Sequence, residues 1–451
     1  MIQKGRELLK IAVIGAGSTY TPELIKGLIE LYPTLPLSEI SLMDIDSRRL
    51  DIVGGFCKRI LSTHHGPFQI VLTTDRRQAL LGADYVITQF RVGLNQARRE
   101  DEYLGKRHGL IGQETTGLGG MAKALRTIPV ILDIARDVQE FAPGALLVNF
   151  TNPSGLIMEA LTRYTPDITA VGLCNSPITM KMQILKRLEQ LSGRSQPIGA
   201  VENSRLDSLG LNHLCWYRGF TLFDQDLWPQ FLASYINELH SNPDPEWDPE
   251  LIESLGMIPN SYLQYYYHTQ EKLAAQEGWP PSRAEQVLRI EADLLKQYSD
   301  PHLLDTSPDL MKRGGAWYST LATRVINSHF NNLGEIQIVN VRHQGTVPGY
   351  PLDWVLELPC RIDSSGIHPL PARPLPIVVF GLMAQVKSYD ILTAKAGAEG
   401  DYQAAYQALL THPLGPDAGQ IPTVLEDLIQ VNQAYLPQFL VNYSGTTAST
   451  G

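Results

Sequence analysis

A thiol, an imidazole and several guanidinium and carboxylate groups are the chemically capable residues of this sequence, and each lies in a turn-like motif. Cys174 sits in GLCN and His213 in LNHL. A thiolate and an imidazole together can hold a divalent ion, and ligand softness alone points to zinc. Singly, each has a plainer reading: free cysteine is commonly a small buried hydrophobe, and a lone histidine is commonly structural. Arg91 in QFRVG and Arg283 in SRAEQV carry planar cations suited to bidentate capture of a phosphate, with surface ion pairing as the alternative. Glu114 in GQETTG could accept hydrogen bonds from ligand hydroxyls or a metal-bound water, or be a loop carboxylate. Asn152 in NFTNPSG stands just before a proline and reads on its own as a turn asparagine.

A second constellation lies near the N-terminus. Gly15-Ala16-Gly17-Ser18 follows an apolar run and precedes a helical pattern. A glycine-rich turn there lets backbone N–H groups approach a pyrophosphate at a helix N-terminus. The third glycine of the dinucleotide fingerprint is replaced by Tyr20, so the match by itself is weak. Asp44 and Asp46, about 30 residues on, strengthen it. A carboxylate at that place can accept from the ribose hydroxyls, which favours NAD, while Arg48 and Arg49 leave NADP open.

These residues need elements to position them. KIAVIG (Lys10 to Gly15) reads as a buried parallel strand, a helix follows from about Pro22 to Tyr32, and ISLMDID is a strand ending at Asp46. A helix from Ser47 to Ser62 and the strand-like runs FQIVLTT, ADYVITQF, GALLVNF and TAVGLCN continue the alternation. This spacing predicts an α/β fold: a Rossmann-like doubly wound parallel sheet over residues 1–195. The rhythm then changes. NPDPEWDPE reads as a surface loop, helical patterns cover Ser282–Tyr298 and Gly381–Ala396, and EIQIVNV and DWVLELPC read as strands. A second, α+β domain is expected over 196–440, carrying substrate, metal and oligomer contacts, with a flexible polar tail at 441–451.

The bulk numbers bound the function. With 451 residues, two domains are the default. A net charge of −10 argues against a nucleic-acid partner but allows a locally positive pocket for a small anion. Four widely spaced cysteines give no CxxC pair and fit a reducing compartment. No secretory signal pattern and no run of 18 or more apolar residues is visible. The expectation is a cytoplasmic protein with neither membrane nor nucleic-acid partner.

The ordered series IAVIGAGSTYTPELI, ITQFRVGL, GLIGQETTGLGG, NFTNPSG, GLCNSP, GLNHL, NSYLQYYY and KRGGAWYST resembles the family 4 glycoside hydrolases, specifically their 6-phospho-β-glucosidase branch, over nearly the whole chain. The resemblance implies tightly held NAD, a divalent metal (usually Mn²⁺), a phosphorylated disaccharide substrate, and a homodimer or homotetramer. It makes Cys174 and His213 the metal pair, Arg91, Arg283 and Asn152 substrate contacts, and Tyr262 the base. Without it, Tyr262, Tyr265, Tyr266 and Tyr267 read as helical core packing, and a free tyrosine pKa of about 10 is high for a base unless cations lie close.

NAD, a metal and a base together suit a redox route to bond cleavage. Oxidation of the sugar at C3 acidifies the C2 proton, its removal expels the leaving group, water adds, and the hydride returns. Family members that act on α-linked substrates carry aspartate directly after the metal cysteine; here the residue is Asn175, which cannot donate a proton as an acid does, and this favours β-linked substrates. The competing readings are an NAD-dependent 2-hydroxy acid dehydrogenase of the malate or lactate type, a relative acting on α-linked or unphosphorylated sugars, and a nucleotide-sensing protein without turnover.

Overall fold

A computed structural model of the chain describes residues 8–439, apart from 244 and 314–316. β1 (Leu9–Ile14) is an apolar run with both faces covered, as a central parallel strand requires. The chain then alternates through α1 (Thr21–Leu31), β2 (Leu37–Met43), α2 (Ser47–Thr63), β3 (Gln69–Thr73), α3 (Arg76–Leu80), β4 (Tyr85–Thr88), α4 (Leu94–Arg107), α5 (Gly117–Phe141), β5 (Leu146–Asn149), α6 (Ser154–Tyr164), β6 (Ala170–Gly172) and α7 (Asn175–Ser192). The strands are parallel in the order β3-β2-β1-β4-β5-β6. The order reverses between β1 and β4, and ligands of such sheets bind beyond the carboxyl ends of the strands at that point.

The second half contributes β7 (Ser204–Leu211), β8 (Leu214–Leu222), β9 (Gln225–Asp226), α8 (Trp228–Ser241), α9 (Pro249–Leu255), β10 (Ile258–Pro259), α10 (Gln264–Tyr267), α11 (Thr269–Glu277), α12 (Arg283–Tyr298), α13 (Tyr318–Asn331), β11 (Glu335–Arg342), β12 (Val355–Asp363), β13 (Gly366–Pro369), α14 (Ile377–Glu399), α15 (Tyr402–Thr411) and α16 (Ile421–Val431). Its strands extend the sheet already formed. β11 pairs antiparallel with β6, and the order continues β12-β7-β8-β10, giving one 13-stranded sheet across the 195/196 boundary. One transverse row links Gly172 to Asn340, Asn340 to Glu357, Glu357 to Gly210 and Gly210 to Cys215.

Local physics explains most boundaries. The Asp46 side chain accepts from Arg49 N and starts α2; Ser282 and Glu285 form a reciprocal capping box at α12. β2 ends at Met43, so Asp44 and Asp46 lie in the turn, because the Asp46 side chain is committed to capping. The acidic NPDPEWDPE stretch is not wholly a surface loop. Trp247 is 1% exposed and packs edge-on against Tyr267, because a large aromatic buries readily even from a polar segment. α14 is longer than its sequence pattern suggested. It alone among the described helices is long and apolar enough to span a membrane. It packs against α5, α6 and α15 and buries Lys387, whose Nζ lies 2.7 Å from Glu159 Oε2. The tail expected at 441–451 lies outside the described residues.

Candidate active site

The glycine turn is fixed by the strand beside it. Gly15 and Ala16 both donate to Met43 O, at 2.9 Å. Gly15 has φ +90, and a Cβ there would stand 2.6 Å from the Phe90 backbone, so only glycine fits. Gly17 N donates to Asp44 Oδ2 (2.8 Å), while Asp44 Oδ1 accepts from Asp46 N (3.0 Å). Ser18 Oγ accepts from Tyr20 N (3.3 Å). Arg49 reaches back to Gly17 O (3.1 Å) and pairs with Glu291 on α12 (3.0 Å), while Arg313 stacks on Tyr20, 4.5 Å from its ring centre. Thus the position vacated by the third glycine is packed by an aromatic ring and a cation.

From this turn a cavity of about 1310 Å³ runs across the carboxyl edge of the sheet. Its wall includes Gly15, Gly17, Ser18, Asp44, Asp46, Arg91, Glu114, Asn152, Asn175, His213, Tyr262 and Arg283. Cys174 is 6% exposed and borders a smaller cavity behind the sheet edge, with Pro177, Lys181 and Arg324. Its Sγ accepts from Ser176 N (3.5 Å), making it the N-cap of α7. Burial, and then Glu357, push its thiol up to about 12.

His213 lies in the two-residue turn between β7 and β8, with φ +63. Its ring stacks on that of Tyr262, centroids 3.9 Å apart and planes 3° from parallel. His213 Nδ1 lies 2.9 Å from Thr115 Oγ1, and that hydroxyl donates its one proton to Gln113 Oε1 (2.9 Å). Gln113 Oε1 also accepts from Thr115 N (2.6 Å), which fixes the amide's orientation. The hydroxyl must therefore accept from Nδ1–H, leaving a lone pair on Nε2. Burial holds the imidazole neutral, at about 4. A neutral imidazole whose other nitrogen donates to a fixed acceptor suits metal binding. Among the described residues no group of three or more His, Cys, Asp or Glu could hold a metal, so Cys174 and His213 would leave coordination positions for ligand oxygens. Tyr262 is raised above the ordinary phenol range by burial, then by Glu114 and Cys174; Arg98 acts the other way and is outweighed.

Glu114 is a hub. Its carboxylate meets Arg91, Arg98 (3.0 Å) and Lys123 (2.7 Å), and it stays well below the ordinary carboxylate range because these cations outweigh its burial. Burial and Arg91 lower Lys123 to about 7. Arg283 opens α12, and its Nη2 donates to the carbonyls of Lys312 (3.2 Å) and Arg313 (3.1 Å). Asn152 precedes a cis proline and accepts from Ser154 N through its side chain (3.3 Å). Asn175 is the first residue of α7.

Sequence reasoning missed Arg98, Lys123, the Gln113–Thr115 pair and Tyr265, all of which line the cavity. Arg98 lies in the first turns of α4, seven residues after the loop residue Arg91, and that closeness in sequence was the available signal. Lys123 sits inside an apolar helix and carried none. Tyr265 turned out to face the cavity rather than the core.

Residues 10–190 match the Family 4 glycosyl hydrolase domain, and 208–415 match the Family 4 glycosyl hydrolase C-terminal domain. The chain is 41% identical to the "Probable 6-phospho-beta-glucosidase" of Bacillus subtilis (strain 168), over 96% of this chain and 98% of that one. It superposes on the 6-phospho-beta glucosidase of Thermotoga maritima, solved with manganese, NAD+ and glucose-6-phosphate, with TM-score 0.87, 33% identity, and 95% and 99% of the two chains covered. A 6-phospho-alpha-glucosidase from gut microorganisms, solved with NAD and Mn2+, gives 0.84 at 26% identity, with 96% and 100% covered. A glycine turn at a topological switch point, an imidazole poised on its Nε2 and a stacked phenol in one cavity agree with these matches: the chain belongs to the family 4 glycosyl hydrolases.

Proposed function

We propose that this protein hydrolyses 6-phospho-β-glucosides with the help of NAD and a divalent metal ion, Mn²⁺ as in its solved relatives. The observation that carries this is the His213–Tyr262 stack, 3.9 Å between centroids, in the cavity that begins at the dinucleotide turn. NAD would supply a reversible hydride acceptor and the metal a Lewis acid for the sugar oxygens. The residues of the chain supply the rest. Gly15, Gly17 and Ser18 would leave room for the pyrophosphate, and Asp44 and Asp46 would be the carboxylates for the adenosine ribose. Cys174 and His213 would hold the metal. Tyr262 takes the C2 proton. Arg91 and Arg283 bind the phosphate, and Asn152, Asn175 and Glu114 orient the sugar, Glu114 chiefly by fixing Arg91.

The amide at Asn175 supports β-linked substrates, since the leaving group needs no carboxylic acid at that place. The four cysteines are all free and buried, in keeping with a cytoplasmic setting. The assembly is a homodimer or homotetramer, for which Ile377 and Val378, 86% and 66% exposed at the start of α14, supply apolar surface. The NAD turn lies in 1–195 together with Arg91, Glu114, Asn152, Cys174 and Asn175, while 196–440 adds His213, Tyr262 and Arg283 to the substrate and metal site.

The test is hydrolysis of p-nitrophenyl 6-phospho-β-glucoside with NAD⁺ and Mn²⁺ supplied or withheld, using substrate deuterated at C2 or C3. Turnover that needs both additions, slows with deuterium and accumulates no NADH supports the reading. Full-rate cleavage by protein stripped of both would overturn it, and net NADH formation would favour a dehydrogenase.

A further inference from the structure

Glu357, the third residue of β12, is completely buried, and no lysine or arginine pairs with it. A carboxyl taken out of water without a cation is unfavourable, so its neighbours become informative. Its Oε2 accepts from Asn340 Nδ2 (3.1 Å) on one side and from Asn212 Nδ2 (3.1 Å) on the other. In the chain, Asn212 immediately precedes His213, whose left-handed backbone is the second half of the same tight turn. Glu357 thus sits in the transverse row two residues short of Cys174 on one strand and of Asn212 on another.

We propose that Glu357 is a positioning residue for the metal site: it fixes the Asn212 amide, and Asn212 sets His213 by chain continuity. The inference rests on the reading of Cys174 and His213 as metal ligands. With Asn212 clamped, the turn that carries the imidazole is held in place before any ion arrives. Without the clamp the Asn212 side chain can rotate, and the strained turn that follows can relax.

The experiment measures Mn²⁺ binding by electron paramagnetic resonance and NAD⁺ binding by fluorescence, on the full chain, with melting curves alongside. Asn212→Ala and Glu357→Ala are expected to weaken Mn²⁺ binding about tenfold or more. NAD⁺ binding should stay within about twofold, and the double variant should be no weaker than the worse single one, because the two act as a unit. Glu357→Gln is the rescue: its amide oxygen keeps an acceptor for both Asn212 and Asn340. It should bind Mn²⁺ within about threefold of the parent. If Glu357→Ala does not fold, Asn212→Ala and Glu357→Gln decide. Asn212→Ala protein that binds Mn²⁺ like the parent overturns the proposal, as does parallel loss of NAD⁺, which marks a merely structural role. Parent protein that fails to bind Mn²⁺, or a Cys174→Ser variant that binds it normally, removes the ligand assignment itself and takes the proposal with it.

Discussion

At His213, identity alone says little and company says much. The Gln113–Thr115 pair decides which nitrogen carries the proton, and no property of the LNHL motif reveals that pair, since it lies about a hundred residues away in sequence. The same holds for Glu114: its loop motif was visible, but the cations that saturate it converge only in three dimensions. Gly15 is the opposite case, legible from its place after an apolar strand. Gly15→Ala should cut NAD⁺ affinity at least about tenfold, because its φ is strained for alanine and its methyl would strike Phe90; equilibrium titration against the parent checks this. A second prediction concerns acid. Burial lowers His412 to about 3, and its Nδ1 accepts from Leu414 N at 3.0 Å. An unfolded histidine titrates near 6.5, so between those values the unfolded chain binds the extra proton. Stability from this group is full above about pH 6.5 and is lost at about 1.4 kcal/mol per unit as pH falls. His412→Gln should therefore lose about 2 kcal/mol less than the parent between pH 6.5 and 4.5 in urea melts. Parallel curves would sink the assignment.

Elements follow the sequence where one force dominates. The alternation of apolar runs and helical patterns is set by covering both faces of a parallel sheet, and so it was readable strand by strand. The Ser282–Glu285 capping box marks the start of α12 from composition alone. Ser282→Ala should cost about 1 kcal/mol and lower the melting temperature by a degree or two. It should also raise KM for the phosphorylated substrate more than it lowers kcat, since Arg283 is the first residue of that helix; an unchanged KM would separate the cap from the site. Elements escape the sequence where tertiary contacts override local character. Trp247 is drawn into the core from an acidic, proline-rich stretch. The tyrosine run after Asn260 divides its duties, with Tyr262 on His213, Tyr266 on His412 and Tyr267 on Trp247.

For the molecule as a whole, the parallel half could be anticipated, whereas the docking of β11 onto β6 could not, because an antiparallel edge pairing between distant segments leaves no local periodicity. The join predicts cooperativity. Scanning calorimetry should show one unfolding transition rather than two, and saturating NAD⁺ should raise it as a unit, by about 2.7 kcal/mol at a hundred times the dissociation constant. Two resolved peaks, with only one moved by NAD⁺, would refute this. The shared sheet also limits how the enzyme can breathe. A hinge at the midpoint of the chain would have to break the pairing of β11 with β6 at Asn340 and Gly172, so the two halves are expected to travel together, and admission of sugar and escape of product fall to side chains and short loops around the cavity mouth.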